Sequence, residues 1–524
     1  MEGLRIVFVA SIRLVRFLGW PVALMITVNW AVRISAVEPS AILGRITIEE
    51  GAEVNRVYQR GPNDNTDITV SGHANPSSEV HLRYTLWRRD QVLEYFDWTP
   101  SELQEAGKWE IYLKGLKTGG PYLLRLELVD RDGKQIDQRQ SGPFFVGDLW
   151  LLGGQSNMDG CGPLDSEWLQ SPIEGVSYFS LANTWRIAEE PLHYCYESVY
   201  PVYLTTYAPN SPAGRLPIEY RPRGTWPNWP AKDDVGAGLG LPFGKRILEK
   251  TGVPIGLVLC SLGGTTMDQW SPDLKHLGGD SLYGALIKRV KLVGGRIKGI
   301  LWWQGESEND STGYLAKMQN LIGSLRKDLK QSKLPFLLVQ LGPQEVSGEA
   351  SPLERVRIRE LQRQLGEIMP NVVTVTAIDQ NLSSSAHVDT QGYTRVGWRL
   401  ANVALATSYQ IKGLEIGPRV KRAWRDRHDN RAIHIKFAHV NGSLLPAEQI
   451  EGFSLRSKHA PEREAAIDRT SIHPEDPTRI LIRSEAPIRD DLCLWYGFGW
   501  FPKVNLVDES DMACHAFGPL GIEY

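Results

Sequence analysis

Residues 144–158 read FFVGDLWLLGGQSNM. An apolar run ends in two glycines and a Gln-Ser-Asn triplet. A continuous apolar run closed by glycine is the pattern of a strand buried on both faces, as in a parallel sheet. The same pattern returns in PIGLVLCS (254–261), IKGILWW (297–303), PFLLVQL (335–341) and NVVTVTAI (371–378). Helical patterns lie between them. In YLAKMQNLIGSLRKDLKQ (314–331), residues Leu315, Met318, Leu321, Ile322, Leu325 and Leu329 fall on one face. ERVRIRELQRQL and RVGWRLANVALATS behave similarly. This alternation over 146–411 predicts an open α/β sheet with right-handed crossovers.

The flanks read differently. Residues 37–145 hold short alternating runs such as DITVSGHA, VHLRYTLW and YLLRLELVD, separated by turn clusters GPNDN, NPSS and KTGGP. They predict a small β-sandwich. Residues 412–524 are strand-like again, in AIHIKFAHV, GFSLRS, RILIRS and LCLWYGF. One stretch, 160–234, breaks the α/β alternation and is rich in Pro, Tyr and Trp. Insertions of this length usually form walls or lids. Trp168, Trp226 and Trp229 are its candidates for a ligand wall.

The bulk numbers exclude some classes. The chain has 524 residues, 42% hydrophobic and 23% charged, with a net charge of −3. That is ordinary globular composition for two to four domains, and nothing in it asks for nucleic acid. Five cysteines (161, 195, 260, 493 and 514) show no metal-like spacing. Cys161–Cys195 and Cys493–Cys514 are candidate disulfides, and Cys260 reads as a core thiol. At the N-terminus, Arg5, Arg13 and Arg16 precede the apolar stretch FLGWPVALMITVNWAV, and ISAVEPS follows Arg33. Residues 1–36 therefore read as a secretory signal or an N-terminal anchor, and the protein as secreted or periplasmic. If the signal is cleaved, no stable membrane contact is expected.

Ligands of open α/β sheets bind beyond the carboxyl ends of the strands. The residues after successive runs are Ser156 in GGQSNM, Gly264 in SLGGTTMDQW, Gln304 and Glu306 in QGESEND, and His387 in AHVDTQGYTRVGWRLA. Serine is a weak nucleophile that needs a neighbouring base, and His387 is the candidate. A tetrahedral oxyanion needs donors, and the N–H groups of Ser156 and Gly264 and the amide of Gln304 are available. Each feature alone has a structural reading, as a helix cap, a turn or a surface histidine. Four of them at the ends of strands in one sheet point to acyl transfer.

These four blocks resemble those of the SGNH-hydrolase superfamily, in its branch of sialate O-acetylesterases and related carbohydrate acetylesterases. GLKTGGPYLLRLELVD and CLWYGFGWFPKVNLVDESDMACHAFGP resemble the flanking β regions of the same branch. The resemblance implies a flavodoxin-like three-layer core flanked by N- and C-terminal all-β domains, with no metal or other cofactor. It implies Ser156 as nucleophile, His387 as general base, and Gly264 and Gln304 in the oxyanion hole. An acetylated carbohydrate is the implied substrate. The family places an aspartate two or three residues before the histidine, where this chain has Ser385 and Ser384. The imidazole still needs an acceptor at Nδ1–H. Asp379 and Asp389 are the candidate third members, a backbone carbonyl is another, and Asp389 also suits a helix cap. Glu306 reads as a brace. The departure leaves open a weak or inactive glycan-binding relative, and the many tryptophans leave open an aryl ester.

Overall fold

The computed structural model describes residues 46–74, 81–93, 99–101, 107–130, 132–205, 234–345, 351–447 and 449–524. The N-terminal segment 1–36, and Trp226 and Trp229 of the insertion, lie outside these residues.

The strand Gln135–Gly154 organises the chain. Its first half pairs antiparallel with Gly119–Val129. Its second half lies between Ile255–Leu259 and Gly299–Trp303, parallel to both. The change from alternating to continuous apolar sequence near Val146 therefore falls inside one strand. Leu149, Trp150, Leu151 and Leu152 are all buried there. Asp148 is buried as well, and it accepts hydrogen bonds from Arg60 Nε (3.0 Å), Arg60 Nη2 (2.8 Å) and Gln59 Nε2 (2.9 Å). A buried carboxylate tolerates that position only when paired. The pair ties the short strand Val57–Gln59 to the central strand, which it meets in parallel register.

The parallel strands run in the spatial order Val176–Phe179, Ile255–Leu259, Gln135–Gly154, Gly299–Trp303, Phe336–Gln340, Val372–Thr376, with antiparallel Trp185–Ile187 at one edge. Without the two strands from the 160–234 insertion this is the flavodoxin order 2-1-3-4-5. The insertion is therefore partly sheet, which its sequence did not announce. Its strands are three or four residues long, too short to show a period.

The strand order turns at Gln135–Gly154, so right-handed crossovers place the helices on both faces. Gly240–Thr251 packs on Thr390–Thr407, and Tyr314–Asp328 packs on Leu353–Ile368. One large apolar cluster fills the sheet and its helices. Residues 46–146 surround a second core, including Ile68, Val70, Trp109, Leu124 and Phe144. Residues 423–517 surround a third, with Ile433, Ile435, Leu455, Ile480 and Leu494. Arg419 Nη2 and His515 Nε2 both donate to the carbonyl of Thr374, tying the third region to the last parallel strand.

All five cysteines are free thiols, so neither candidate disulfide forms. Cys161 Sγ instead lies 3.5 Å from the carbonyl of Ser156. Among the described residues no helix is long and apolar enough to cross a membrane.

Candidate functional site

The central strand ends in Gly153 and Gly154 because nothing larger fits. A Cβ on Gly154 would lie 2.0 Å from the carbonyl oxygen of Trp303, and the residue sits at φ +126°. A Cβ on Gly153 would meet the Trp302 ring at 2.8 Å. The close approach lets Gln155 cross to the neighbouring strand end. Its Oε1 accepts from the N–H groups of Gly305 (3.2 Å) and Ser307 (3.3 Å). The nucleophile-type turn and the QGES block are thereby held in register, at the point where the strand order turns.

Ser156 opens the short helix Ser156–Asp159 and is 7% exposed. His387, 231 residues away, places Nε2 2.9 Å from Ser156 Oγ. Its Nδ1 lies 2.9 Å from Ser384 Oγ. With the proton on Nδ1, both contacts are hydrogen bonds: Nδ1–H donates to Ser384, and Nε2 accepts from Ser156. The loop before the histidine folds back on itself to present Ser384. Ser383 N–H donates to the His387 carbonyl (2.9 Å), and Ser383 Oγ donates to the Val388 carbonyl (3.1 Å). Burial lowers the His387 pKa below its usual value, and among the described residues no carboxylate counters the shift.

Neither candidate aspartate reaches the imidazole. Asp379 is gripped by Arg399, with Nη1–Oδ1 at 2.6 Å and Nη2–Oδ2 at 2.7 Å, and by Arg395 at 3.2 Å. Burial alone would raise its pKa, but the two guanidinium groups hold it below the usual value. Asp389 caps the helix Thr390–Thr407, accepting from Gly392 N–H at 2.7 Å. The residue that meets Nδ1 is Ser384, at a position where the resemblance led one to look for an acid.

Gln304 also departs from the expectation. Its side chain is fully buried, and its Nε2 donates to the Thr265 carbonyl (3.1 Å) and to Glu308 Oε1 (2.8 Å). Both amide hydrogens are thus used internally, and none is left for an oxyanion. Glu308 also takes Met267 N–H at 2.6 Å. Gln304 and Glu308 therefore brace the GGTT loop. Gly264 lies exposed in that loop at φ +62°, a conformation that favours glycine.

Asn157 is the residue that sequence reasoning passed over. Its Nδ2 donates to Glu306 Oε1 (2.7 Å) and to the Ala386 carbonyl (2.9 Å). Its Oδ1 accepts from Tyr393 Oη (2.8 Å) and Val388 N–H (3.4 Å). It thus clamps the residues on either side of His387. The only sequence signal was its place directly after Ser156.

Glu306 meets the site through the hydrogen bond that its Oε1 accepts from Asn157. Burial raises its pKa, against the pull of the Asn157 hydrogen bond. Arg355 secures the same turn by donating to the carbonyls of Gly305 and Glu306, both at 2.9 Å. Its guanidinium stands 5.1 Å from the ring centre of Trp500, bringing a loop of the C-terminal region to this side of the site. Asp159 and His193 form a buried pair on the other side, at 3.3 Å, with His193 Nε2 also 2.9 Å from the Ser261 carbonyl. Trp168 packs edge-on against Trp398, at 6.1 Å between ring centres.

A serine hydroxyl donating to an uncharged imidazole is a group that can be deprotonated as it attacks an acyl carbon. The N–H of an exposed glycine in a left-handed turn is a candidate donor to the oxygen of that acyl group.

Comparison with known proteins gives the same direction. The family described as carbohydrate esterase, sialic acid-specific acetylesterase, matches residues 146–406. A probable carbohydrate esterase of Arabidopsis thaliana is 30% identical over 288 residues, spanning 50% of this chain and 92% of the relative. The solved structure of a carbohydrate acetylesterase from Xanthomonas citri superposes with a TM-score of 0.59 at 22% identity, over 90% of this chain and 99% of the other. At that identity the likeness concerns the fold.

Proposed function

The chain belongs to the carbohydrate esterase, sialic acid-specific acetylesterase family, and on that premise we propose that it is a serine esterase that removes O-acetyl groups from carbohydrate. The observation that carries the reading is the 2.9 Å contact between Ser156 Oγ and His387 Nε2. Ser156 attacks the acetyl carbonyl while His387 takes its proton. The oxyanion rests against the N–H groups of Ser156 and Gly264. His387 returns the proton to the departing sugar oxygen, leaving an acetyl-serine. Water then attacks the ester, with His387 again as base. Asn157, Glu306 and Gln304 position these groups without touching the substrate. The basic and apolar N-terminal segment supports an exported protein. Acetate release from a panel of acetylated polysaccharides tests the reading. It fails if no acetylated carbohydrate is hydrolysed while a non-acetyl aryl ester is.

Ser384 gives this mechanism a neutral acceptor at Nδ1 where an acid is usual. A neutral hydrogen bond contributes about 1 kcal/mol, so Ser384→Ala lowers kcat about fivefold with KM little changed. Ser384→Asp has a different signature. A carboxylate beside the imidazole favours its charged form, so the acid limb of kcat/KM moves to higher pH. A pH profile of the two variants checks both outcomes. Identical profiles for wild type and Ser384→Asp would remove Ser384 from the mechanism.

A further inference from the structure

The C-terminal region carries a five-stranded sheet in the order Ile467–His473, Asp476–Ser484, Ala432–Ala438, Arg419–Arg425, Ile522–Glu523. Its two faces are unlike. Ala423, Ile433, Ile435, Ile480 and Ile482 point into the core. On the other face, Arg422 stands opposite Lys436, and Lys436 opposite Arg479. Three cations therefore lie side by side across three neighbouring strands. Like charges directly opposite one another destabilise a sheet. Local acids offset this only in part. Asp476 meets Lys436 at 2.7 Å but Arg479 only at 3.8 Å, and Glu523 meets Arg422 only at 3.7 Å.

The next row along the same face is aromatic. Trp424 pairs with His434, the rings stacked at 5.4 Å and 21°. Beside these rows lies a cavity of about 360 Å³, whose walls include Arg422, Trp424, Arg425, Arg427, His434 and Tyr524. Of its carboxylates, Asp426 is engaged by His434 Nε2 at 2.8 Å and by two backbone N–H groups, while Glu523 stands 3.7 Å from Arg422. Tyr524 is 86% exposed, with the Arg425 guanidinium 4.8 Å from its ring centre. The cavity lies within the rough 300–1,000 Å³ range of small-ligand sites. Guanidinium forks match the paired oxygens of carboxylate or sulfate, and aromatic faces pack on the C–H faces of a sugar ring.

We infer that this face binds an anionic saccharide unit, at a site that shares no residue with the Ser156 centre. The choice of a saccharide over another anion rests on the carbohydrate reading of that centre. The site would hold a charged polymer while the Ser156 centre works along it.

The test is calorimetric titration of the full chain carrying Ser156→Ala, so that binding is read without turnover. The ligands are an oligogalacturonate, a sulfated oligosaccharide and a neutral xylo-oligosaccharide. At least one anionic ligand is expected to bind about tenfold or more tighter than the neutral one, with affinity falling as salt rises. Which of the two binds separates carboxylate from sulfate. Adding Arg422→Ala and Arg427→Ala abolishes the preference without lowering the melting temperature. The same pair of changes on the unsubstituted chain leaves p-nitrophenyl acetate hydrolysis unchanged. Equal affinity for neutral and anionic ligands, absence of binding to both anionic ligands, or affinity indifferent to the arginine changes overturns the proposal. Failure of the esterase reading would show only in the hydrolysis assay.

Discussion

Replacing Ser156 by alanine is expected to reduce kcat/KM for an acetyl ester by a factor on the order of 10⁵. The size follows from what the residue supplies. Without Oγ no acyl-enzyme forms, and only the N–H groups of the hole and substrate binding remain to assist water. The substitution removes one oxygen from a site that is 7% exposed and loses a single hydrogen bond, the one from Oγ to His387. The turn itself is held by Gln155 and Asn157, so the variant should fold and bind substrate normally. Unchanged turnover in a chain with a native melting temperature would sink the assignment.

His387→Ala is expected to cost on the order of 10⁴ in kcat, since the serine then loses its base. The pH dependence of the unsubstituted enzyme reports the same group. In the proposed mechanism the working form of His387 is the neutral one, populated above its folded pKa. Burial lowers that pKa from the ordinary histidine value of 6.5. The acid limb of kcat/KM should therefore lie below pH 6.5, and activity should be lost only as pH falls through the lowered pKa. The folded state also binds the proton less readily than the unfolded chain. This contribution to stability is present above pH 6.5 and is lost as pH falls through the lowered pKa. An acid limb at or above pH 7 would mean that an unseen carboxylate faces the imidazole.

How far the sequence reaches can be judged residue by residue. The five apolar runs become the five core strands because a strand buried on both faces must be apolar throughout. The blocks that follow them share one edge because parallel strands all end there. Ser156 and His387 were legible for that reason, although 231 residues separate them. Ser384 was not, because reasoning from charge looks for an acid, and a serine becomes a partner only through the fold-back of the 383–387 loop. The role of Gln304 was misread because its amide hydrogens are consumed by Glu308 and the Thr265 carbonyl, contacts set by burial. Asp379 looked available at a strand end, yet its partners Arg395 and Arg399 lie one turn apart on the helix that follows it, Thr390–Thr407. The cysteine pairs rested on order along the chain, which says nothing about distance between thiols.

The account stands most directly on the acetyl-serine. The enzyme can be mixed with an excess of an activated acetyl ester, quenched in acid at steady state, and digested for mass spectrometry. The expected result is the mass of one acetyl group on the peptide carrying Ser156, absent from Ser156→Ala and enriched in a variant slowed in deacylation. Full turnover with Ser156 unmodified, or with the acetyl group on another residue, would contradict it.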